Sequence, residues 1–304
     1  MTYPRDLIGY GKNPPNPKWP GGARLALSIV VNYEEGGERN ILHGDTESET
    51  FLSEVVGIPA SVGGRNLTVE SMYEYGTRVA FWRLLRMFAE RDVKVSCYAV
   101  VQALERHPDA AKAMVDAGHE VLSHGYRWID YQYVPEAVER EHLKRAVTSL
   151  TRLTGSRPLG WYTGRVSENT RRLVVEEGGF LYDSDAYNDD LPYWVVESGK
   201  PHLVIPYSMD SNDMKTVMAG GFATGQDWLD YTRDAFDVLY TESAMQPKMM
   251  SVGLHLRLIG RPGRAVSLAR FLDHVKAHRD VWICRRVDIA RHWIATQPYR
   301  PAQS

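Results

Sequence analysis

Residues 25–37 read LALSIVVNYEEGG, an apolar run that ends in two adjacent glutamates and two glycines. The apolar, β-branched composition of Leu25–Val31 predicts a strand. Neighbouring residues of a strand point to opposite faces, so at most one of Glu34 and Glu35 would naturally face the interior of a barrel. A turn at Gly36 is the alternative that brings both glutamates to the mouth. The motif favours an active site, and a solvated acidic loop is the other interpretation.

Seven more apolar, β-rich runs follow along the chain and alternate with segments whose apolar residues recur at helical spacing. The further predicted strands are Val93–Val100, Glu120–Ser123, Leu159–Tyr162, Phe180–Asp183, Leu203–Pro206, Met249–His255 and Val281–Cys284. The predicted helices are Val79–Ala89, Asp109–Ala117, Glu136–Leu153, Thr170–Glu177, Trp228–Tyr240, Ala265–Ala277 and Val287–Ala295. This alternation predicts parallel strands joined by crossover helices, hence an α/β fold. With no fixed repeat and no low-complexity linker, we expect one domain over residues 1–304.

Two long segments interrupt the alternation. Glu34–Tyr75 is rich in Gly, Ser and charged residues, and Tyr207–Gly225 is similar. Long irregular connections in compact domains are usually functional loops or interface elements. Both follow predicted strands, and the loops after the strands of a parallel barrel build its active site. We therefore expect both segments to line the same mouth.

Composition excludes several classes of function. The chain has 304 residues, of which 43% are hydrophobic and 24% charged, with a net charge of −2. A net charge of −2 lacks the excess of positive charge that is typical of proteins that bind nucleic acid or an anionic membrane. There is no run of about 18 apolar residues and no apolar core of a signal peptide near the start, which predicts a cytoplasmic protein without a membrane span. Cys97 and Cys284 lie in apolar runs and are expected to be buried free thiols.

Further groups that could carry chemistry also follow predicted strands. They are His124 with Trp128, Tyr162 with Arg165, Asp183 with Asp185, and His255 with Arg257. Each has a plain structural alternative: a hydrogen-bonded histidine, core packing of an aromatic ring, a cap of the following turn, or a basic surface loop. Their shared position after strands is the stronger signal, because the carboxyl ends of parallel strands meet at one edge.

The ordered motifs resemble the polysaccharide deacetylase family over nearly the whole chain. They are Asn-Tyr-Glu-Glu-Gly at 32–36, Gly-His-Glu at 118–120 with Ser-His-Gly at 123–125, Gly-Trp-Tyr-Thr-Gly-Arg at 160–165 and Leu-His at 254–255. The resemblance implies a deformed (β/α) barrel with about seven parallel strands that hydrolyses N-acetyl amides with a divalent metal. In the family's first motif, Thr-Phe-Asp-Asp-Gly, the first aspartate is the general base and the second binds the metal. Its second motif, His-Ser/Thr-x-x-His, supplies two metal ligands, and the histidine of its last motif is the general acid.

The departures from these motifs are informative. Glu34 and Glu35 replace the two aspartates, and Trp128, whose indole cannot ligate a metal, stands where the second metal histidine is expected. The third-motif arginine is not where it is expected; Tyr162 lies in the vicinity, and Arg165 follows a few residues on. One histidine and one glutamate would bind a metal weakly, so we expect no metal and no other cofactor.

Three longer stretches make the resemblance more specific. They are Arg-Asp-Leu-Ile-Gly-Tyr-Gly at 5–11, Asn-Tyr-Glu-Glu-Gly-Gly-Glu-Arg-Asn at 32–40 and Arg-Leu-Ile-Gly-Arg-Pro at 257–262. With the substitutions above, they resemble the metal-independent allantoinase branch of the family. That branch implies hydrolytic opening of the hydantoin ring of allantoin to allantoate, a reaction of purine catabolism, by a homotetramer. The long segment Glu34–Tyr75 exceeds what a barrel mouth needs, which also favours an oligomer.

The predicted site combines these residues. The catalytic residues are Glu34, Glu35 and His255, and the substrate-binding residues are His124, Trp128, Tyr162, Arg165, Asp183 and Arg257. Without a metal, a carboxylate must activate the attacking water, and sequence leaves open which glutamate does so. The histidine at 255 would protonate the leaving nitrogen or stabilise the oxyanion.

Three alternatives stay open. The first is a metal-dependent N-deacetylase of a polysaccharide or peptidoglycan, against which the missing second histidine and the missing export signal both count. The second is a non-catalytic member of the fold, which would leave the paired carboxylates and the His-Arg cluster without a purpose. The third keeps the chemistry but acts on another hydantoin or cyclic imide, because small changes in a pocket change the substrate.

Overall fold

The computed structural model describes residues 5–301, in which a mostly parallel sheet is surrounded by helices. The strands are β1 (Leu25–Tyr33), β2 (Glu47–Ser48), β3 (Ser61–Val62), β4 (Ser96–Ala99), β5 (Glu120–Ser123), β6 (Gly160–Trp161), β7 (Tyr182–Asp183), β8 (Tyr193–Glu197), β9 (Lys200–Val204), β10 (Lys248–His255) and β11 (Val281–Ile283). The helices are α1 (Leu67–Tyr75), α2 (Phe81–Glu90), α3 (Val101–Glu105), α4 (Pro108–Asp116), α5 (Glu136–Thr154), α6 (Thr170–Glu177), α7 (Gly225–Glu242), α8 (Leu256–Ile259), α9 (Pro262–Lys276) and α10 (Arg286–Thr296). None of the helices within residues 5–301 has the length and apolar character that crossing a membrane requires.

The main sheet confirms the predicted α/β class. Its strands follow the order β10-β1-β4-β5-β6-β7-β9, all parallel, and β8 adds an antiparallel edge to β9. β11 pairs with the beginning of β1. Within the described residues no ladder joins β9 to β10; there Ser211 bridges the gap by donating to the carbonyl of Ser251 at 2.8 Å. The curved parallel sheet with outer helices matches the polysaccharide-deacetylase type of barrel.

Each of the eight predicted strands overlaps a strand of the structure. The expectation that Glu34–Tyr75 is irregular was wrong, because this segment contains the β2–β3 hairpin and its last nine residues form α1. The side chain of Asn66 caps α1 by accepting from the amide of Val69. β8 was not predicted, because it is an edge strand that pairs only with β9 and lacks the buried apolar run of the central strands.

Alternation along β1 sorts its side chains between two cores. Leu25, Leu27, Ile29 and Val31 pack with the surrounding helices, whereas Ala26 and Val30 pack inside the barrel. Side chains of a strand alternate between its two faces, and this alternation continues past the end of β1. Glu34 therefore points inward and Glu35 outward. The parallel register of β1 with β10 sets Asn32 beside His255, so the two motifs arrive at the same end of the barrel.

The barrel interior is anchored by one buried arginine. Arg286, the first residue of α10, is 0% exposed and donates to the hydroxyls of Ser28, Ser184 and Ser251. It also donates to the carbonyl oxygen of Pro206 at 2.8 Å. A buried cation is tolerated only when its donors are satisfied, and here the partners are neutral oxygens from β1, β10 and the segments after β7 and β9. This network joins four parts of the sheet.

Candidate active site

A small cavity of about 140 Å³ opens at the carboxyl ends of the central strands. Of the sequence-predicted site residues, those that line it are Glu34, His124, Trp128, Tyr162, Arg165 and His255. Its other walls come from Asn32, Phe51, Leu52, Gly164, Tyr207, Met209, Asn212 and Met214. Side chains alternate between the two faces of a strand, which explains why residues at the strand ends reach the cavity. Tyr162, for example, belongs to the inner core, while its neighbour Trp161 packs outward.

Glu34 is the charged centre of the cavity. It is 1% exposed, its Oε1 lies 3.2 Å from Nε2 of His124 and 3.5 Å from Nε2 of His255, and its Oε2 lies 2.9 Å from Nη2 of Arg257. Burial by itself would raise the pKa of Glu34, but the positive charges of His255 and Arg257 and the histidine hydrogen bonds hold it well below its ordinary value. Glu34 is therefore a carboxylate at neutral pH.

His255 is held in place by Asp213. Nδ1 of His255 lies 2.7 Å from Oδ1 of Asp213, and Oδ2 accepts from the backbone amides of His255 at 2.8 Å and Ile259 at 3.1 Å. Burial lowers the pKa of His255, but the charges of Glu34 and Asp213 outweigh it and raise the pKa to about 9. The imidazole is consequently protonated at neutral pH, beside a deprotonated glutamate.

Glu35 lies outside the cavity and aligns Arg257. Its Oε1 accepts from the backbone amide and from Nη1 of Arg257, each at 3.2 Å, and its Oε2 accepts from the amide of Glu34 at 3.1 Å. Burial and the neighbouring charge of Glu34 raise the pKa of Glu35, although Arg257 opposes them. Arg257 is itself 1% exposed, packs over the ring of Tyr73 at 4.1 Å and does not line the cavity. The pair thus forms a layer behind Glu34.

Aromatic rings and one arginine form the entrance. The rings of Phe51 and Trp128 are stacked, with centroids 6.2 Å apart, and the guanidinium of Arg165 lies 4.0 Å from the Trp128 centroid. Arg165 also pairs with Glu49 at 3.1 Å. The segment that follows β1 therefore returns across the mouth. Flat apolar faces of this kind suit a planar ring, although core packing is a sufficient role for Trp128 alone.

The inner wall carries His124 and Tyr162. Their rings lie 4.8 Å apart, and the Tyr162 hydroxyl is 3.0 Å from that of Tyr187. Nδ1 of His124 is buried and has no hydrogen-bond partner among the described residues. A ring nitrogen that is left without a partner beside a polar cavity is available to a bound molecule.

Asp183 lies outside the site, in contrast to its predicted contact with substrate. It shares a strand with Tyr182 of the inner core, so alternation turns it to the outer face, where it pairs with Arg171 at 2.8 Å and His202 at 3.1 Å. Burial would raise its pKa, but these partners lower it to about 2. Asp185 accepts the amides of Thr163 and Gly164 and does not line the cavity. The predicted alternative, a cap of the following turn, describes Asp183 rather than Asp185, because Asp183 accepts from the amide of Asp185 at 3.0 Å.

Sequence reasoning missed Asp213, the partner of His255. It lies at the start of a short 3₁₀ turn, Asp213–Val217, inside the long segment Tyr207–Gly225, and is 0% exposed. It also missed Asn32 and Tyr207, whose side chains meet at 3.2 Å in the cavity wall. The position of Asn32 two residues before Glu34 on β1 was a usable signal, because such residues share a face. Asp213 offered no comparable signal.

The residues do not fit the divalent metal of the wider family. Glu35, whose counterpart binds the metal, is turned to Arg257, and Trp128 occupies the position of the second histidine. The guanidinium of Arg257, 2.9 Å from Glu34, adds a fixed positive charge where a cation would have to lie. Among the described residues, Glu34, His124 and His255 do not form a group whose donor atoms lie within 4.8 Å of one another.

A larger cleft of about 880 Å³ lies beside α7 and meets the site only at Tyr207. It is lined by Asp189, Asp190, Asp210 and Asp234, and none of its described lining residues is a histidine, lysine or arginine. General acid–base hydrolysis needs paired groups that accept and donate protons, so the smaller cavity, which holds the glutamate and the histidines, is the candidate active site in spite of its size.

A mostly parallel α/β barrel with a carboxylate–histidine pair at its carboxyl end defines the class of the chain, a barrel of the polysaccharide-deacetylase type. The chain belongs to the polysaccharide deacetylase family. The family model described as "Polysaccharide deacetylase" matches residues 64–179. A Schizosaccharomyces pombe protein named "Putative polysaccharide deacetylase" is 44% identical over 99% of this chain and 100% of its own length.

Two solved structures are similar over the whole chain. The structure described as "Puue Allantoinase" has a TM-score of 0.97 at 62% identity and covers 99% of this chain and 100% of its own. A "probable Polysaccharide deacetylase" from Pseudomonas aeruginosa PAO1 has a TM-score of 0.96 at 59% identity, covering 98% and 100%. The protein is thus a hydrolase of carbon–nitrogen bonds, and the similarity to an allantoinase supports that branch of the family.

Proposed function

We propose that the protein opens the hydantoin ring of allantoin by hydrolysis to give allantoate, without a metal. The size and lining of the cavity carry this proposal. About 140 Å³ walled by Phe51, Trp128 and Tyr162 suits a single small ring rather than a stretch of polysaccharide. The similarity to the structure described as an allantoinase supports the same substrate.

In the proposed mechanism Glu34 is the general base. The lowered pKa of Glu34 keeps it ionised, and Glu34 lines the cavity, where it takes a proton from water as the water oxygen attacks the ring carbonyl. Arg257 and Glu35 are positioning residues that fix the carboxylate from behind. The buried layer holds Glu34 in one orientation, so little reorganisation accompanies the attack.

His255 is the proposed general acid. With a pKa of about 9 it carries a proton at neutral pH, and its Nε2 faces Glu34 at 3.5 Å. The ring carbon–nitrogen bond breaks as this proton moves to the departing nitrogen, and the carbonyl carbon keeps the oxygen of water as a carboxylate. The proton on Glu34 then passes to His255, which restores both groups, and the second proton of the attacking water is lost to solvent as the new carboxyl group ionises. His124, Tyr162 and Arg165 are proposed to bind the substrate.

A second candidate is N-deacetylation of a sugar polymer, which the description of the matching family model and the name of the Schizosaccharomyces pombe relative favour. It would need an open groove and a metal at the motif positions. Hydrolysis of another hydantoin or cyclic imide is the third candidate, since it requires the same catalytic pair. The cytoplasmic location stays a prediction.

The decisive assay uses purified full-length protein that has been treated with a chelator and analysed for metal. We expect allantoate to form from allantoin in this preparation, and added Zn²⁺ should not be required. An N-acetylglucosamine oligomer is the matched substrate for the second candidate. Release of acetate that depends on added metal, with no turnover of allantoin, would overturn the proposal.

A further inference from the structure

A second cluster of potential metal ligands lies outside the barrel, between α7 and α9. Asp237 is on α7, His274 is in the last turn of α9, and His278 follows one turn later. One candidate donor atom from each residue lies within 4.8 Å of the other two. Across residues 5–301 this is the only group of three such residues that meets that spacing, and the proposed reaction uses none of its members.

The hydrogen bonds leave one nitrogen of His278 ready to bind a metal. Its Nδ1 lies 2.9 Å from the backbone carbonyl oxygen of His274, which only accepts, so Nδ1 carries the proton and Nε2 keeps a lone pair. This is how ligating histidines are usually held, with the second ring N–H donated to a carbonyl or carboxylate. Nε2 of His274 already meets Oδ1 of Asp237 at 2.7 Å.

Packing fixes both rings. The ring of Phe236 lies 5.6 Å from that of His274 and 5.0 Å from that of His278, and Tyr240 lies 4.8 Å from His278. His278 lies two residues past the end of α9, and its ring lies 4.7 Å from that of His274, centroid to centroid. Ligands bound tetrahedrally to zinc are separated by roughly 3.4 Å, so small side-chain rotations within this packed frame suffice.

We propose that Asp237, His274 and His278 bind a Zn²⁺ ion that clamps α7 to α9. Two neutral imidazoles and one carboxylate are a ligand set that Zn²⁺ accepts, and water completes the tetrahedron because the three residues are half-exposed. Nε2 of His274 binds the ion through its lone pair, so in the neutral ring the proton lies on Nδ1. The ion acts on the stability of this helix pair and takes no part in hydrolysis.

The test begins with chelator-treated full-length protein, titrated with ZnCl₂ at pH 7.5 by calorimetry. We expect one ion per chain and a rise in Tm with Zn²⁺. Each of His278→Gln and Asp237→Asn should weaken binding by at least about tenfold, because one of three protein ligands is lost. His292→Gln is the matched control, since His292 lies on α10 and bonds to the carbonyl of Pro17; it should bind as the wild type does.

Two further measurements separate this site from the reaction centre. Glu34→Gln should keep the full stoichiometry of zinc; loss of the ion in that variant would place it in the cavity and overturn the proposal. In a crystal soaked in ZnCl₂, an anomalous peak about 2.0–2.2 Å from the three donor atoms is expected, which does not depend on any variant folding. No peak there, or ligand variants that bind as tightly as the wild type, would also overturn it.

Discussion

At the residue scale, the two adjacent glutamates have different surroundings although they differ by one position. Glu34 continues the inner face of β1 and lines the cavity, whereas Glu35 turns outward to Arg257. Burial raises the pKa of both glutamates, but at Glu34 the charges of His255 and Arg257 outweigh it and hold the pKa well below its ordinary value, whereas the pKa of Glu35 stays raised. This difference favours Glu34 as the base and Glu35 as a positioning residue.

Glu34→Gln should therefore lower kcat by about 10²–10⁴-fold, with KM changed far less, because glutamine keeps the shape but cannot accept a proton at neutral pH. Steady-state kinetics with allantoin measures this. Glu35→Gln is the matched comparison and should retain more activity, since Glu35 lies outside the cavity and only positions Arg257 and the backbone of Glu34. If Glu35→Gln were inactive and Glu34→Gln remained active, the role of base would belong to Glu35.

The pH profile tests the partnership of His255 and Asp213. The acid form of His255 is required, so kcat/KM should fall as pH rises through about 9. The carboxylate form of Glu34 is also required, so the fall of kcat/KM on the acid side should come below pH 4.5, the ordinary pKa of a glutamate. Asp213→Asn removes a charge that raises the pKa of His255, so the alkaline limb should move to lower pH. An unchanged limb would show that Asp213 only supports the fold.

The same proton links activity to stability. The pKa of His255 is raised from 6.5 to about 9, so its contribution to the free energy of unfolding is fully present below pH 6.5 and is lost as pH rises through 9. The imidazolium therefore stabilises the native state in the pH range where the proposed acid is active.

At the scale of elements, Arg286 is the joint between α10 and the inner face of the sheet. Arg286→Met should lower the free energy of unfolding by at least about 3 kcal/mol, because three hydroxyls and two carbonyl oxygens lose a buried donor. Urea unfolding measures this. Its neighbour Arg285 has a half-exposed pair with Asp288, so Arg285→Met should cost less than about 1 kcal/mol. Equal losses of unfolding free energy in the two variants would contradict this role of Arg286.

At the scale of the whole molecule, the oligomeric state stays a prediction. The resemblance to the allantoinase branch predicts a homotetramer of the 34.5 kDa chain. Exposed apolar residues on the segment after β1, among them Leu42, Val56, Val62 and Leu67, would be covered in such an assembly. Sedimentation at assay concentration should give about four times the chain mass, and a monomer there would contradict the prediction.

By itself, the sequence determined the α/β class, the positions of the central strands and six of the fourteen residues that line the cavity. It did so because buried parallel strands leave long apolar runs, and because polar residues at their carboxyl ends must converge on one edge. Glu34, His124 and His255 were found for this reason. Period-two alternation, followed strand by strand, also accounts for the outward position of Asp183.

Only the tertiary structure decided which groups act on which. Asp213 bonds to His255 from a loop that lies 42 residues earlier in the chain. Arg257 contacts both Glu34 and Glu35, although it follows Glu35 by 222 residues. Such pairings depend on how loops return over the barrel mouth, and local sequence carries no period or spacing for them. The pKa values that distinguish base from acid follow from this burial and charge, so they too are properties of the folded chain alone.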